Sequence, residues 1–111
     1  MRIFLVTIAL LAVSAAWSLD RANAQEPITI TIRNHRFEPA EVRVPAGQRV
    51  TLNVVNDDPT PEEFESRQLK VEKVIPGKSK ALIRIGPLAP GRYPFIGEFH
   101  EATAKGVVIA E

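Results

Sequence analysis

The chain of 111 residues contains no cysteine. That single absence excludes thiolate catalysis, iron–sulfur clusters, zinc–cysteine sites and any copper centre built on a copper–thiolate bond. It also leaves the fold without disulfides, so its apolar core must suffice alone. Charge of one sign is scarce too, with 14 Lys and Arg against 13 Asp and Glu. Nucleic acid or an anionic membrane surface would call for a basic excess, which is missing. Past residue 24 there is no long apolar run, no helical period with caps, no internal repeat and no low-complexity tract. No phosphate loop, nucleophile–base pair or hydrolase signature is present, which argues against hydrolytic or transferase chemistry.

What is present begins with a leader. Arg2 gives a positive start, "IFLVTIALLAV" an apolar stretch, and "ANA" (Ala22 to Ala24) a small-x-small cleavage pattern. Residues 1–24 are expected to be a secretory signal peptide, with the mature chain beginning at Gln25. A retained anchor helix is the alternative, though the apolar run is short for a membrane span. Loss of Arg2, Arg21 and Asp20 with the leader leaves 12 charges of each sign and a net charge of about zero. Residues 25–111 make one small domain.

That domain alternates apolar and polar residues with the period of a strand. "ITITIRN", "EVRVPAG", "RVTLNVVN" and "KALIRIG" all do so, and "RYPFIG" and "GVVIA" complete the set. Proline and glycine turns separate them at Pro45–Gly47, Asp57–Pro59, Pro76–Gly77 and Pro90–Gly91. Short strands punctuated in this way predict an all-β sandwich. One segment fits less well. Asn56 to Gly77 carries three prolines and six acidic residues and is too long for a hairpin turn, so it reads as a loop of the kind that carries function or is partly mobile. Within it "EEFES" is a short extended piece. Alternation puts Glu63 and Glu65 on one face and Glu62, Phe64 and Ser66 on the other. Phe64 is the expected core anchor, which places Glu62 near the end of the sandwich rather than deep inside it.

The pattern "RFEPAEVRVPAGQRVTLNVVNDD", then "APGRYPF", a loop with a histidine, and "GVVIA" resembles the cupredoxin family. The resemblance spans essentially the whole of residues 25–111 and implies a Greek-key sandwich of about seven to eight strands. In blue-copper members of that family the ligands are two histidines, a cysteine and a methionine. Here Glu62 stands where the first histidine would be, Gly97 where the cysteine would be and Lys105 where the methionine would be; His100 alone matches. A blue-copper centre is therefore not expected. The "EEFES…EKVIPG" and "GEFHE" pieces resemble the small cupredoxin component of bacterial periplasmic ferrous-iron uptake systems. That resemblance implies a periplasmic protein working with an iron permease and a periplasmic metal-binding partner, and meeting the membrane only through a partner.

The donors left are Glu62, Glu63, Glu65, Glu98, His100 and Glu101. This oxygen-rich set with one imidazole suits iron, manganese or tetragonal Cu(II) better than Cu(I). Like charges brought together repel, and a cation would relieve them. The expectation is that His100 and carboxylates of the Glu62–Glu65 segment hold one divalent ion, iron or copper, at the end of the sandwich, with or without oxidation of Fe(II). Two other readings stay open: a type-2-like copper carrier or electron-transfer protein, and a metal-free interaction module with His100 a surface histidine. His35, between Arg33 and Arg36, is expected at the surface, because neighbouring cations disfavour a metal ion. Phe37, Phe64, Tyr93, Phe95 and Phe99 are expected to fill the core, with Tyr93 hydrogen-bonded through its hydroxyl.

Overall fold

The computed structural model describes Ile3 and residues 26–111. The expected leader, residues 1–24, thus lies almost wholly outside the described residues. The remainder is an all-β sandwich of nine strands: β1 (Ile28–Arg33), β2 (Arg36–Glu38), β3 (Glu41–Val44), β4 (Val50–Asn56), β5 (Glu62–Ser66), β6 (Val71–Ile75), β7 (Ser79–Ile85), β8 (Gly91–Gly97) and β9 (Lys105–Ala110). One sheet runs β2-β1-β4-β7 and the other β3-β9-β8-β5-β6. The β1–β4 and β3–β9 pairings are parallel and the rest antiparallel. Helix is limited, among the described residues, to one 3-10 turn at Glu98–His100.

Seven to eight strands were expected, and the count is higher for a local reason. The acidic segment 56–77 is not one long loop: its second half folds back as β6 and pairs with β5, Glu63 opposite Val74 and Glu65 opposite Glu72. β6 lies at the edge of its sheet, and three of its five residues are exposed, so it shows no apolar alternation. Asn56, fully buried at the end of β4, holds this segment in place. Its side-chain amide donates to the carbonyls of Thr60, Ile75 and Pro76 at 2.8, 3.1 and 3.3 Å.

The inward residues interleave as two facing sheets require. Ile30, Ile32, Leu52, Val54, Ile83 and Ile85 come from one sheet; Val42, Phe64, Ile75, Phe95 and Val108 come from the other. Phe37, Phe64 and Phe95 form the aromatic centre. Phe37 meets Phe95 edge-on at 4.9 Å between centroids, and Phe64 stacks on Phe95 at 4.8 Å. The Tyr93 hydroxyl donates to the Ala89 carbonyl at 2.8 Å, as the sequence suggested, and staples the turn before β8. Phe99 departs from the core-filling expectation. It is 48% exposed, because the 3-10 turn commits its backbone N–H inward and turns its ring out.

Candidate metal centre

Three pieces of chain meet at one end of the sandwich: β5 with Glu62, the 3-10 turn with His100, and the β1–β2 hairpin turn with His35. Glu62 is the centre of the arrangement. It leads β5 on the same face as Phe64, and its carboxylate is buried (1% exposed) rather than lying near the sandwich rim as alternation had suggested. The 3-10 turn closes over it and supplies donors. Oε1 accepts the backbone N–H of Glu63 and of Phe99, both at 2.9 Å. Oε2 lies 2.6 Å from Nδ1 of His100. Nδ1–H donates to the carboxylate, and in the neutral imidazole this tautomer leaves Nε2 as the ring nitrogen with a free lone pair. The His100 side chain remains 27% exposed.

The loop behind His100 is closed by backbone hydrogen bonds. Gly97 N–H donates to the Ala104 carbonyl and Ala104 N–H to the His100 carbonyl, each at 2.9 Å. A side chain at Gly97 would have no room. A Cβ there would come within 2.6 Å of the Ala104 methyl and 2.7 Å of the Glu62 carboxyl carbon. The carboxylate thus fills the space into which a side chain at this position would point.

His35 is a residue that sequence reasoning placed elsewhere. It is not a bystander at a strand end: its ring stacks on that of His100 with centroids 3.5 Å apart and planes 11° from parallel. The turn that carries it explains the approach. Asn34 and His35 link β1 to β2 as a two-residue hairpin with φ of 52° and 56°. Positive φ at both central positions is what such a turn needs, and histidine is a costly choice where glycine is favoured. Asp58 holds the turn by accepting the N–H groups of Asn34 at 2.8 Å and His35 at 2.9 Å. Burial pushes the Asp58 carboxyl up, but these two N–H groups and the nearby His35 and Lys78 outweigh it and hold it below the usual carboxylate range. Thr103 completes the contact, its hydroxyl donating to the His35 carbonyl. The signal for His35 was the spacing "TIRNHRFE", a two-residue turn with Asn34 in it; nothing local showed that His100 lay opposite.

The six candidate donors do not form one cluster. Strand alternation separates them, as it must: Glu62 and His100 are on the inner side, whereas Glu63 and Glu65 project from the outer face of the five-stranded sheet. There Glu63 meets Glu72 and Glu98, with one carboxylate oxygen of each within 4.8 Å of the others. Burial first, and then the Glu72 and Glu98 carboxylates, push Glu63 up to about 7. Burial and Glu98 likewise raise Glu65. Glu65, Glu98 and Glu101 line a shallow groove of about 420 Å³ with Ser66, Arg67 and Pro94. The expectation of a single ion held by His100 and carboxylates of the Glu62–Glu65 segment is corrected in its ligand set: of those carboxylates only Glu62 reaches His100. Glu72 joins the outer group because β6 pairs with β5 and sets it opposite Glu65.

The arrangement decides which metal chemistry fits. A copper–thiolate centre does not: there is no cysteine, and Gly97 has no space for one beside Glu62. The two stacked rings also cannot share an ion as they lie. An ion about 2 Å from a nitrogen in one ring's plane is out of line with the lone pairs of the parallel ring. What the geometry offers is a single imidazole nitrogen, His100 Nε2, to which water or another solute would add the remaining ligands. A carboxylate on the other ring nitrogen is the arrangement that orients metal-binding histidines generally.

With the two sheets, the loop end and its histidine in place, comparison with known sequences is decisive. The sequence profile of the cupredoxin-like domain matches residues 2–110. The chain belongs to that family. A relative of this cupredoxin from Rickettsia prowazekii (strain Madrid E) is 42% identical over 82 residues, covering 74% of this chain; the match spans only about two thirds (66%) of that protein's length. Similar solved structures share the fold at low identity. The metal-binding domain of the Cu(I)-exporting P-type ATPase of Streptococcus pneumoniae superposes with a TM-score of 0.69 at 18% identity, over 79% of this chain and 91% of that one. Auracyanin A, a blue copper protein of Chloroflexus aurantiacus, gives 0.67 at 15%, over 78% and 98%. A purple cupredoxin of Nitrosopumilus maritimus gives 0.59 at 19%, over 76% and 99%. Unlike a blue copper protein, this cupredoxin has no thiolate to offer.

Proposed function

We propose that this cupredoxin is an exported metal-binding protein that takes up one transition-metal ion through Nε2 of His100, with Glu62 orienting the imidazole. The observation that carries the reading is the 2.6 Å contact between His100 Nδ1 and a buried carboxylate that also accepts two backbone N–H groups. A surface histidine with no task has no need of so firmly held a partner. The donor that the chain offers there is an imidazole nitrogen, with no thiolate or thioether beside it, which favours Fe(II), Fe(III) or Cu(II) over Cu(I). Copper is the metal named for the structural neighbours, and it enters this chain only by that likeness. Iron enters by the likeness of "EEFES" and "GEFHE" to the cupredoxin of ferrous-iron uptake systems. In that role the protein receives iron outside the membrane and hands it to a permease, with a second periplasmic protein as partner. The expected leader supports export.

Titration of the purified protein with Cu(II) in air and with Fe(II) under argon tests the reading. Binding is expected in the micromolar range with only a weak visible band for Cu(II), since the intense blue absorption needs a thiolate. His100→Ala is expected to weaken binding by about 10-fold or more. Comparing Fe(II) loss in air with and without the protein tests for assisted oxidation. If His100→Ala binds both ions as the parent does, the site reading is wrong and an interaction module remains.

A further inference from the structure

The chain has two histidines, and they stand face to face. Their planes are 11° from parallel and their centroids 3.5 Å apart. Atoms in van der Waals contact are already separated by about 3.5 Å, so the two rings have almost no lateral offset. The ring of His35 therefore covers one face of the His100 imidazole. Glu62 holds that imidazole at Nδ1, along a single direction in the ring plane. One hydrogen bond leaves a ring free to turn about its line, and the stack removes that freedom. Together the two contacts set where Nε2 points.

More than the rings holds the pair together. Thr103 ties the two backbones: its hydroxyl donates to the His35 carbonyl, and its N–H donates to the His100 carbonyl at 3.2 Å. Asp58 pins the hairpin turn through the N–H groups of Asn34 and His35. The turn itself has positive φ at both central positions, which favours glycine in the second place, yet a histidine stands there at φ 56°. A residue kept against the local preference points to function rather than to folding. We propose that His35 is the positioning residue of the His100 site. It is not itself a ligand, because the lone pairs of the parallel rings do not converge on one ion. It fixes the plane of the ligand ring and closes the face that it covers. The ring then reorganises little when an ion arrives, which favours binding. This inference rests on the reading of His100 as the metal-binding residue.

Cu(II) is the probe, with His35→Gly, His35→Phe and His100→Ala compared against the parent. Glycine removes the ring and suits the turn. His35→Gly is therefore expected to hold the denaturant midpoint while Cu(II) affinity falls by about 10-fold or more. His35→Phe restores a stacking ring without nitrogens and is expected to recover most of that affinity. The metal-free protein gives a second readout by nuclear magnetic resonance. The Nδ1 proton of His100 is expected as a slowly exchanging signal in the parent and in His35→Phe, and as a lost signal in His35→Gly. Parental affinity in His35→Gly, with binding weakened in His100→Ala, overturns the positioning role and leaves the proposed function standing. Parental affinity in His100→Ala removes both. Affinity as low in His35→Phe as in His35→Gly makes a His35 nitrogen a ligand, and a midpoint that falls with the affinity makes the ring a part of the fold; either result overturns the inference.

Discussion

Glu62 and Glu63 are adjacent, alike and both buried, yet they live in opposite electrostatic surroundings. Glu62 faces inward and gathers two backbone N–H groups and an imidazole N–H. Glu63 faces outward and meets Glu72 and Glu98. Burial alone therefore says nothing about whether a carboxylate supports a fold. What matters is the donor count, and on a strand a shift of one residue is enough to change it.

The contrast is sharpest where Glu62 is lost. Glu62→Ala strands one buried and one part-buried backbone donor and frees His100, and each unmade bond of this kind costs about 1–3 kcal/mol. A loss of about 3–5 kcal/mol of stability is expected in a denaturant titration, with weaker metal binding. A cost near zero would mean that the inner carboxylate is no better placed than the outer ones. The second test crowds the same carboxylate. Gly97→Ala sets a methyl against the Glu62 carboxyl and the Ala104 methyl, and overpacking of this kind costs about 1–3 kcal/mol. The cost is expected to shrink in the Glu62→Ala background, since residues in contact couple.

The outer face makes the opposite prediction for pH. Folded Glu63 keeps its proton up to about 7, against an ordinary value of 4.5. Between those values the folded state binds more protons than the unfolded state. The stability of the metal-free protein therefore falls as pH rises from about 4.5 through about 7. Denaturant midpoints at pH 5 and pH 8 measure this, and Glu63→Gln is expected to flatten the difference. The smallest effect belongs to Glu65→Gln, which removes one charge from the Glu65–Glu72 pair and is expected to raise the melting temperature slightly at pH 8. A drop there would show that the outer carboxylates help the apo fold rather than strain it.

Much of this was legible beforehand, and the parts that were not share a cause. β1, β4 and β7 announced themselves because one face of each is apolar. β6 did not, because an edge strand with exposed Glu72, Lys73 and Val74 has no apolar face to show. Alternation assigned Glu62 to the side of Phe64 correctly but could not give its depth, which depends on the 3-10 turn folding over it from 36 residues further along the chain. The His35–His100 stack was hidden for the same reason. Each half obeys local rules, and only the closed sandwich brings a hairpin turn from one sheet against a loop from the other.

The strand order has a consequence for when the protein can act. β9, the last strand in the sequence, is not at an edge: it is hydrogen-bonded between β3, to which it runs parallel, and β8. A chain made or threaded from its N-terminus has His35, Glu62 and His100 in hand before β9 exists, but the sheet that fixes them is split until those final residues arrive. Pairing between segments this far apart is slow, because a long loop must close before any contact rewards it. The end that carries His35, Glu62 and His100 is complete only once β9 has paired, and a chain cut short before Lys105 would carry every proposed donor without the pairing that holds them together.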